Sequence, residues 1–193
     1  MPNRLFLLTC LLCFVLPLWS GCSLTTNRQE PDSFWEQYLP TDETSIPPDS
    51  FTETNRDLDV AIIGEGFFQV FDFLTGECYY TRHGHFNINA HGELVTGSFP
   101  IARPLHPNIL VPEDTVKIQI HDDGTVWVTL KGKKQQQQEV GVIELATFNN
   151  PEGLHRVDEN LYSETEASGT ATLHVPGTNG TGVLKSQYLE VFE

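Results

Sequence analysis

Cysteine is scarce here, and the positions of the four residues make it scarcer still. Cys10 and Cys13 lie inside the apolar run Leu5–Leu18, so their C-x-x-C spacing carries no metal or redox meaning; Cys22 follows that run, and Cys78 alone remains for a folded body. One thiol makes no intramolecular disulfide. Basic residues are also few, 11 Lys and Arg against 26 Asp and Glu, for a formal net charge of −15. A nucleic-acid surface needs a basic stripe to replace phosphate counterions. The one basic cluster, Lys131, Lys133 and Lys134, sits in a turn beside four glutamines. Glycine-rich phosphate loops, H-E-x-x-H and G-x-S-x-G are all absent, which removes the common local signatures of nucleotide, zinc-protease and hydrolase chemistry. Beyond the first residues no apolar run is long enough to span a bilayer.

What is present begins with a leader. Arg4 supplies a positive start, Leu5–Leu18 an apolar stretch short for a membrane span, and Leu18-Trp19-Ser20-Gly21-Cys22 follows. The Ser20-Gly21-Cys22 end resembles the lipobox of bacterial lipoproteins, with Trp19 where that family usually places Leu. The resemblance implies lipidation at Cys22, ordinary signal cleavage being the alternative, and residues 1–21 are expected to be removed. Without the leader ten basic residues face 26 acidic ones, a net charge of −16, the mark of a solvated surface. Residues 22–57 turn to Thr, Asp, Glu, Asn and spread prolines, and are read as a tether with few apolar groups to offset the entropy of ordering. Phe34-Trp35 and Tyr38-Leu39 are its exceptions, suited to a short helical turn or to docking. At ~3 Å per residue an extended tether reaches on the order of 100 Å.

From residue 58 to 193 the pattern is that of strands. Phe68 and Val70 face one way and Phe67, Gln69 and Phe71 the other; Gly64-Glu65-Gly66 and Asn89-Ala90-His91-Gly92 supply turns. Prolines 104, 107 and 112 demote their stretch to edge or loop. The clearest hairpin places Val116, Ile118 and Ile120 on one face and Val126, Val128 and Leu130 on the return, around His121-Asp122-Asp123-Gly124. Trp127 on the other face is either a second-core residue or a partly exposed contact, the core being favoured. Gly132–Gln138 is read as a polar loop, Val140–Phe148 as one long strand, Leu161–Thr165 as another and Val183–Val191 as the closing strand. The fold expected is all-β, a small antiparallel β-sandwich or irregular barrel.

Read in order, Asp59 with Gly64-x-Gly66-Phe67-Phe68, Tyr80-Thr81-Arg82-x-Gly84-x-Phe86, Gly92-x-Leu94, Asp123-Gly124, Asn150-Pro151-x-Gly153 and Leu161-Tyr162 resemble the flagellar basal-body rod and hook family, the distal-rod members most closely. The pieces run in register over about 135 residues. The resemblance implies a structural role without catalysis, metal, cofactor or small-molecule substrate, and partners among flagellar rod, hook or ring proteins. Family members also carry an amphipathic helix before this region and a heptad-patterned one after it; here a leader and tether stand in the first place, and the sequence ends about where the second begins. Self-assembly into a rod is therefore doubtful on this reading. The expectation is an accessory of the flagellar basal body in the periplasm, tethered to the outer membrane through Cys22; the alternative is an envelope lipoprotein that reuses the β domain to bind another protein or peptidoglycan.

Candidate chemistry is thin. His83-x-His85, with His91 or Glu93 nearby, is the one tempting metal pair, but Gly84 and the turn at 89–92 spoil the spacing and exposed turn histidines are the favoured reading. Arg82 is placed either on a partner's carboxylate or in a pair within the domain, with Asp59 or Glu93. Asp57, Asp59, Glu65 and Asp72 show no paired-carboxylate geometry.

Overall fold

The computed structural model describes residues 51–97, 101–132 and 137–191. The chain rises from β1 (Phe51–Glu53) through β2 (Val60–Ile63), β3 (Phe67–Asp72), β4 (Glu77–Thr81), β5 (Phe86–Ile88), β6 (Leu94–Thr96) and the two-residue β7 (Arg103–Pro104). It continues through β8 (Thr115–Ile120), β9 (Thr125–Leu130), β10 (Gln137–Val142) and β11 (Leu145–Thr147) to a 3-10 turn, Pro151–Gly153. After the turn come β12 (His155–Asp158), β13 (Leu161–Ser163), β14 (Thr172–His174), β15 (Val183–Ser186) and β16 (Tyr188–Glu190). Among the described residues the regular structure is thus strand, as the alternation in the sequence requires.

The pairings are antiparallel throughout. One sheet has the order β12-β13-β4-β3-β11-β14; the others are β5-β6-β7, β8-β9-β10, β2-β15 and β1-β16. None closes on itself, single bridges such as Val70–Leu105 and Asp59–His85 joining their margins, so the barrel alternative gives way to packed open sheets. Pro104 falls on the edge strand β7, where a missing N–H costs least.

One apolar cluster lies where the sheets meet: Val60 and Ile62 from β2, Phe68 from β3, Phe86 from β5, Ile118, Ile120, Val126 and Val128 from the β8–β9 hairpin, Leu145 and Leu184. Phe68 and Phe86 meet edge to face at 5.0 Å and are fully buried. All four residues of β2 are buried, which is why that strand reads as a continuous apolar run and not as an alternation.

Five sequence expectations are corrected by the chain's hydrogen bonding. The expected tether extends to residue 57, yet Phe51–Glu53 pairs with Tyr188–Glu190 and Thr54 N–H donates to the Gln187 carbonyl at 2.8 Å, so residues 51–57 belong to the folded body. Val116 does not share the buried face of Ile118 and Ile120: a bulge between Thr115 and Lys117 rotates it outward, and it is 61% exposed. The single strand expected over Val140–Phe148 divides into β10, which pairs with β9, and β11, which pairs with β3 and β14. β10 also begins earlier than expected, taking Gln137 and Gln138 from the polar loop. Finally, Val183–Val191 is broken at Gln187, whose φ of 68° turns the chain from pairing with β2 to pairing with β1. Trp127 lies half-buried outside the core cluster, its indole stacked on His121 at 6.4 Å.

Candidate interaction surface

The motif residues converge on internal jobs. Arg82, just past β4, reaches across the turn that joins β2 to β3. Its Nη2 donates to the Ile62 carbonyl at 3.0 Å, its Nη1 to the Gly64 and Gly66 carbonyls at 3.0 and 2.9 Å, and its Nε to the Glu190 carboxylate at 2.7 Å. Gly64 and Gly66 take φ values of 106° and 125°, which a side chain rarely adopts, and this aims their carbonyls at one guanidinium. The planar five-donor fork of arginine suits that constellation and a lysine does not. The Arg82 and Glu190 side chains are 15% and 9% exposed, so this arginine is engaged within the domain. Its carboxylate partner is neither Asp59 nor Glu93 but a residue 108 positions away, beyond the reach of sequence spacing.

Asp59 anchors a second knot. Its side chain is 4% exposed and is held by the Arg56 guanidinium and by His85 Nδ1 at 2.8 Å. Arg56 also donates to the Phe86 carbonyl at 2.6 Å and to Asn87 Oδ1 at 2.7 Å. Arg56 went unnoticed in the sequence because it lies in the expected tether. Glu93 accepts from Asn89 at 2.7 Å and Asn108 at 2.8 Å. His83 and His85 are half-buried, in place of the exposed positions expected for them, and their ring centroids stand 6.1 Å apart. Burial first, and then His85, pushes the His83 pKa down. A cation entering here would meet Arg56 on the nearest carboxylate, and among the described residues no three His, Cys, Asp or Glu side chains form a metal-sized group.

The remaining motif residues close turns and layers. A Cβ on Gly84 would lie 1.8 Å from the Val60 carbonyl oxygen, and one on Gly92 2.7 Å from that of Val111. Leu94 is fully buried. Thr81 accepts from the His83 N–H, Asp123 accepts from both the N–H and hydroxyl of Thr125, and Thr165 donates to the Gly153 carbonyl at 2.7 Å. Asn150, ahead of Pro151, donates to the Ala167 carbonyl at 3.1 Å. On the six-stranded sheet Phe67, Phe148, Tyr80 and Tyr162 meet edge to face, and Leu161 packs with Val70 and Tyr79. The Tyr80 hydroxyl bonds Glu164 at 3.2 Å; burial, followed by Glu164, leaves its pKa pushed up to about 12. Cys78 is half-buried on β4, and burial raises its thiol pKa, keeping it protonated.

Asp123, Asn150 and Pro151 are exposed among the motif residues, and a further set of apolar side chains also faces outward. The turn after β3 presents Phe73 and Leu74, 69% and 86% exposed, with Phe73 against Phe71 at 5.2 Å. Asp72 fixes that turn: Oδ1 accepts the Leu74 N–H at 2.8 Å and Oδ2 the Arg103 Nε at 2.8 Å. The Leu74 N–H, opposed in part by burial and helped by Arg103, holds the Asp72 carboxyl below its ordinary range. Elsewhere the outward-turned Val116 and the 43% exposed Ile88 flank a groove of about 450 Å³. Strands β12 and β14 bound the six-stranded sheet, every residue of β12 being exposed. An apolar tip, a groove and open sheet edges are the equipment of a surface that meets other proteins.

Residues 61–128 match the family model described as the flagellar hook protein FlgE/F/G D1 domain. The chain is 41% identical over 141 residues to the flagellar basal-body rod protein FlgG of Buchnera aphidicola subsp. Schizaphis graminum, covering 73% of this chain and 52% of that protein. To FlgG of Caulobacter vibrioides it is 41% identical over 139 residues, 72% of this chain and 51% of the relative. To the flagellar hook protein FlgE of Escherichia coli K12 it is 43% identical over 79 residues, 41% of this chain and 19% of the relative. The chain spans about half the length of the rod-protein relatives it matches.

Proposed function

Because the chain carries a β domain of the flagellar rod and hook protein family, we propose that it is a non-catalytic component or accessory of the bacterial flagellar basal body, packing on rod, hook or ring subunits through its outward β surface. The single observation behind this reading is the identity to rod proteins across nearly three-quarters of the chain. The geometry supports it: Arg82, Asp59 and the aromatic motif residues maintain a scaffold, and the exposed apolar groups stand on its outside. The Ser20-Gly21-Cys22 sequence supports lipidation at Cys22 and attachment to the envelope, with the outer membrane as the anchor and the periplasm as the place of work. Residues 1–21 are then the leader and the residues from Cys22 to about Ser50 the tether, both outside the described residues. A tagged copy is expected to co-purify with basal bodies, and deletion to impair motility or rod assembly. Retention in the envelope with neither effect would overturn this role and favour a lipoprotein that binds another envelope component.

A further inference from the structure

Two positions in the sequence place an acid or amide side chain directly before glycine, Asp123-Gly124 and Asn179-Gly180. Glycine has no side chain to hinder its own backbone nitrogen, so such pairs are open to ring closure onto the preceding side-chain carbonyl carbon. The fold treats the two oppositely. Gly124 is buried, its N–H donates to the His121 carbonyl at 2.9 Å, and an added Cβ would lie 2.3 Å from the Ile143 carbonyl oxygen. Asp123 Oδ1 accepts from the Thr125 hydroxyl at 2.7 Å and from its N–H at 3.0 Å, bonds that keep the group ionised and so a poor electrophile. Asn179 and Gly180 instead form the exposed tip of a turn, with φ values of 50° and 81°, the left-handed pair that Asn-Gly favours. The Thr181 N–H closes that turn on the Thr178 carbonyl at 2.9 Å, while the Gly180 N–H donates to nothing among the described residues. A Cβ built on Gly180 meets nothing within 4 Å. The Asn179 side chain is held by one bond, from Nδ2 to His174 Nδ1 at 3.0 Å.

We propose that Asn179 is a site of covalent self-modification, converting through a succinimide with Gly180 to aspartate and isoaspartate, while Asp123 is spared. The Gly180 nitrogen gives its proton to solvent and attacks Asn179 Cγ. The new N–Cγ bond closes the ring, the Cγ–Nδ2 bond breaks, and Nδ2 leaves as ammonia with a proton from water. Water then opens the ring, at one carbonyl to aspartate and at the other to isoaspartate; nothing is oxidised or reduced. Either product puts a carboxylate where Nδ2 donated to His174. Isoaspartate also adds a backbone carbon within a loop that the Gly177 N–H closes on the Gly182 carbonyl at 2.9 Å. That loop leans on the glycine turn held by Arg82. The Gly182 N–H donates to the Glu65 carbonyl at 2.7 Å, and a Cβ on Gly64 would lie 3.0 Å from Gly182 Cα. Loss of ammonia is not reversed, so the change accumulates in long-lived copies of the chain. It stands whether or not the partner is flagellar.

Peptide mapping of the full chain by mass spectrometry tests this, after incubation at mildly alkaline pH and with enzymatic methylation to count isoaspartate. In the folded chain residue 179 is expected to show the amide-to-acid mass shift, with isoaspartate appearing there at least roughly tenfold faster than at 123. In guanidinium chloride both positions are expected to react. Asn179→Gln, at an exposed position, is expected to abolish the signal at 179, since the longer side chain closes its ring far more slowly. Survival of Asn179 in the folded chain over a period that converts it in guanidinium chloride would overturn the proposal. So would isoaspartate at 123 forming as fast as at 179, or a methylation signal in the folded chain that Asn179→Gln leaves unchanged.

Discussion

Arg82 stabilises this fold by satisfying four acceptors at once, three of them carbonyls of β2 and the glycine turn after it. Arg82→Ala leaves Glu190 nearly buried and uncompensated, and a loss of about 3 kcal/mol is expected in urea unfolding, with Arg82→Lys recovering only part of it. Gly84 is a case of space rather than charge. A methyl there would overlap the Val60 carbonyl at 1.8 Å, and Gly84→Ala is expected to cost about 3 kcal/mol, at the upper end of overpacking. Asp72 sets a pH dependence. Its folded pKa lies below the ordinary 3.8, so the native state binds fewer protons than the unfolded chain in that region. The stability it contributes is present above 3.8 and lost as pH falls through the lowered value. Asp72→Asn is expected to flatten the acid limb of a stability–pH curve below about pH 4 and to leave its slope at neutral pH unchanged. At this scale the sequence showed that the Gly64-x-Gly66 turn and Arg82 mattered, since glycine at a turn and a large cation near a strand end are local signals. It could not show Glu190 as the partner, because that contact exists only once the last strand has returned.

Among the elements, the β8 bulge and the β1–β16 pair depart furthest from their reading in sequence. Alternation alone puts Val116 with Ile118 and Ile120; one extra residue in the strand reverses it. Val116→Thr is therefore expected to change stability by less than about 0.5 kcal/mol, whereas Ile118→Ala costs about 2 kcal/mol or more in the same urea series. The first strand was hidden for another reason. Phe51-Thr52-Glu53 is short and exposed on two of its three positions, so it has no apolar signature, and the pairing with Tyr188–Glu190 supplies its order. A chain beginning at Leu58 loses that pair and the Arg56 bonds to buried Asp59. Its thermal midpoint is expected about 10 °C below that of a chain beginning at Ser50, with amides 188–190 exchanging freely. Elements with a buried face, β3, β4 and the β8–β9 hairpin, were legible because period-2 burial leaves its mark on composition. Edges and bulges were not, since neighbours rather than residues define them.

For the whole molecule, the architecture is all-β, and the residues that carry the resemblance to rod and hook proteins in the sequence hold turns, close layers and fill the core. That made the scaffold readable in sequence while leaving the contact surface obscure. Phe73 and Leu74 stand in solvent because the Asp72-fixed turn carries them out of the sheet. A net charge of −15 sets a repulsive background between copies, which favours docking on an unlike partner over growth on itself. Position in the living cell is the direct measure of the flagellar role. With a tagged protein expressed from its own locus and flagellar bases marked in a second colour, foci coincident with the bases are expected, and they should disperse when the rod is deleted. A uniform envelope signal, unchanged by loss of the rod in cells that otherwise build flagella, would contradict a place in the basal body.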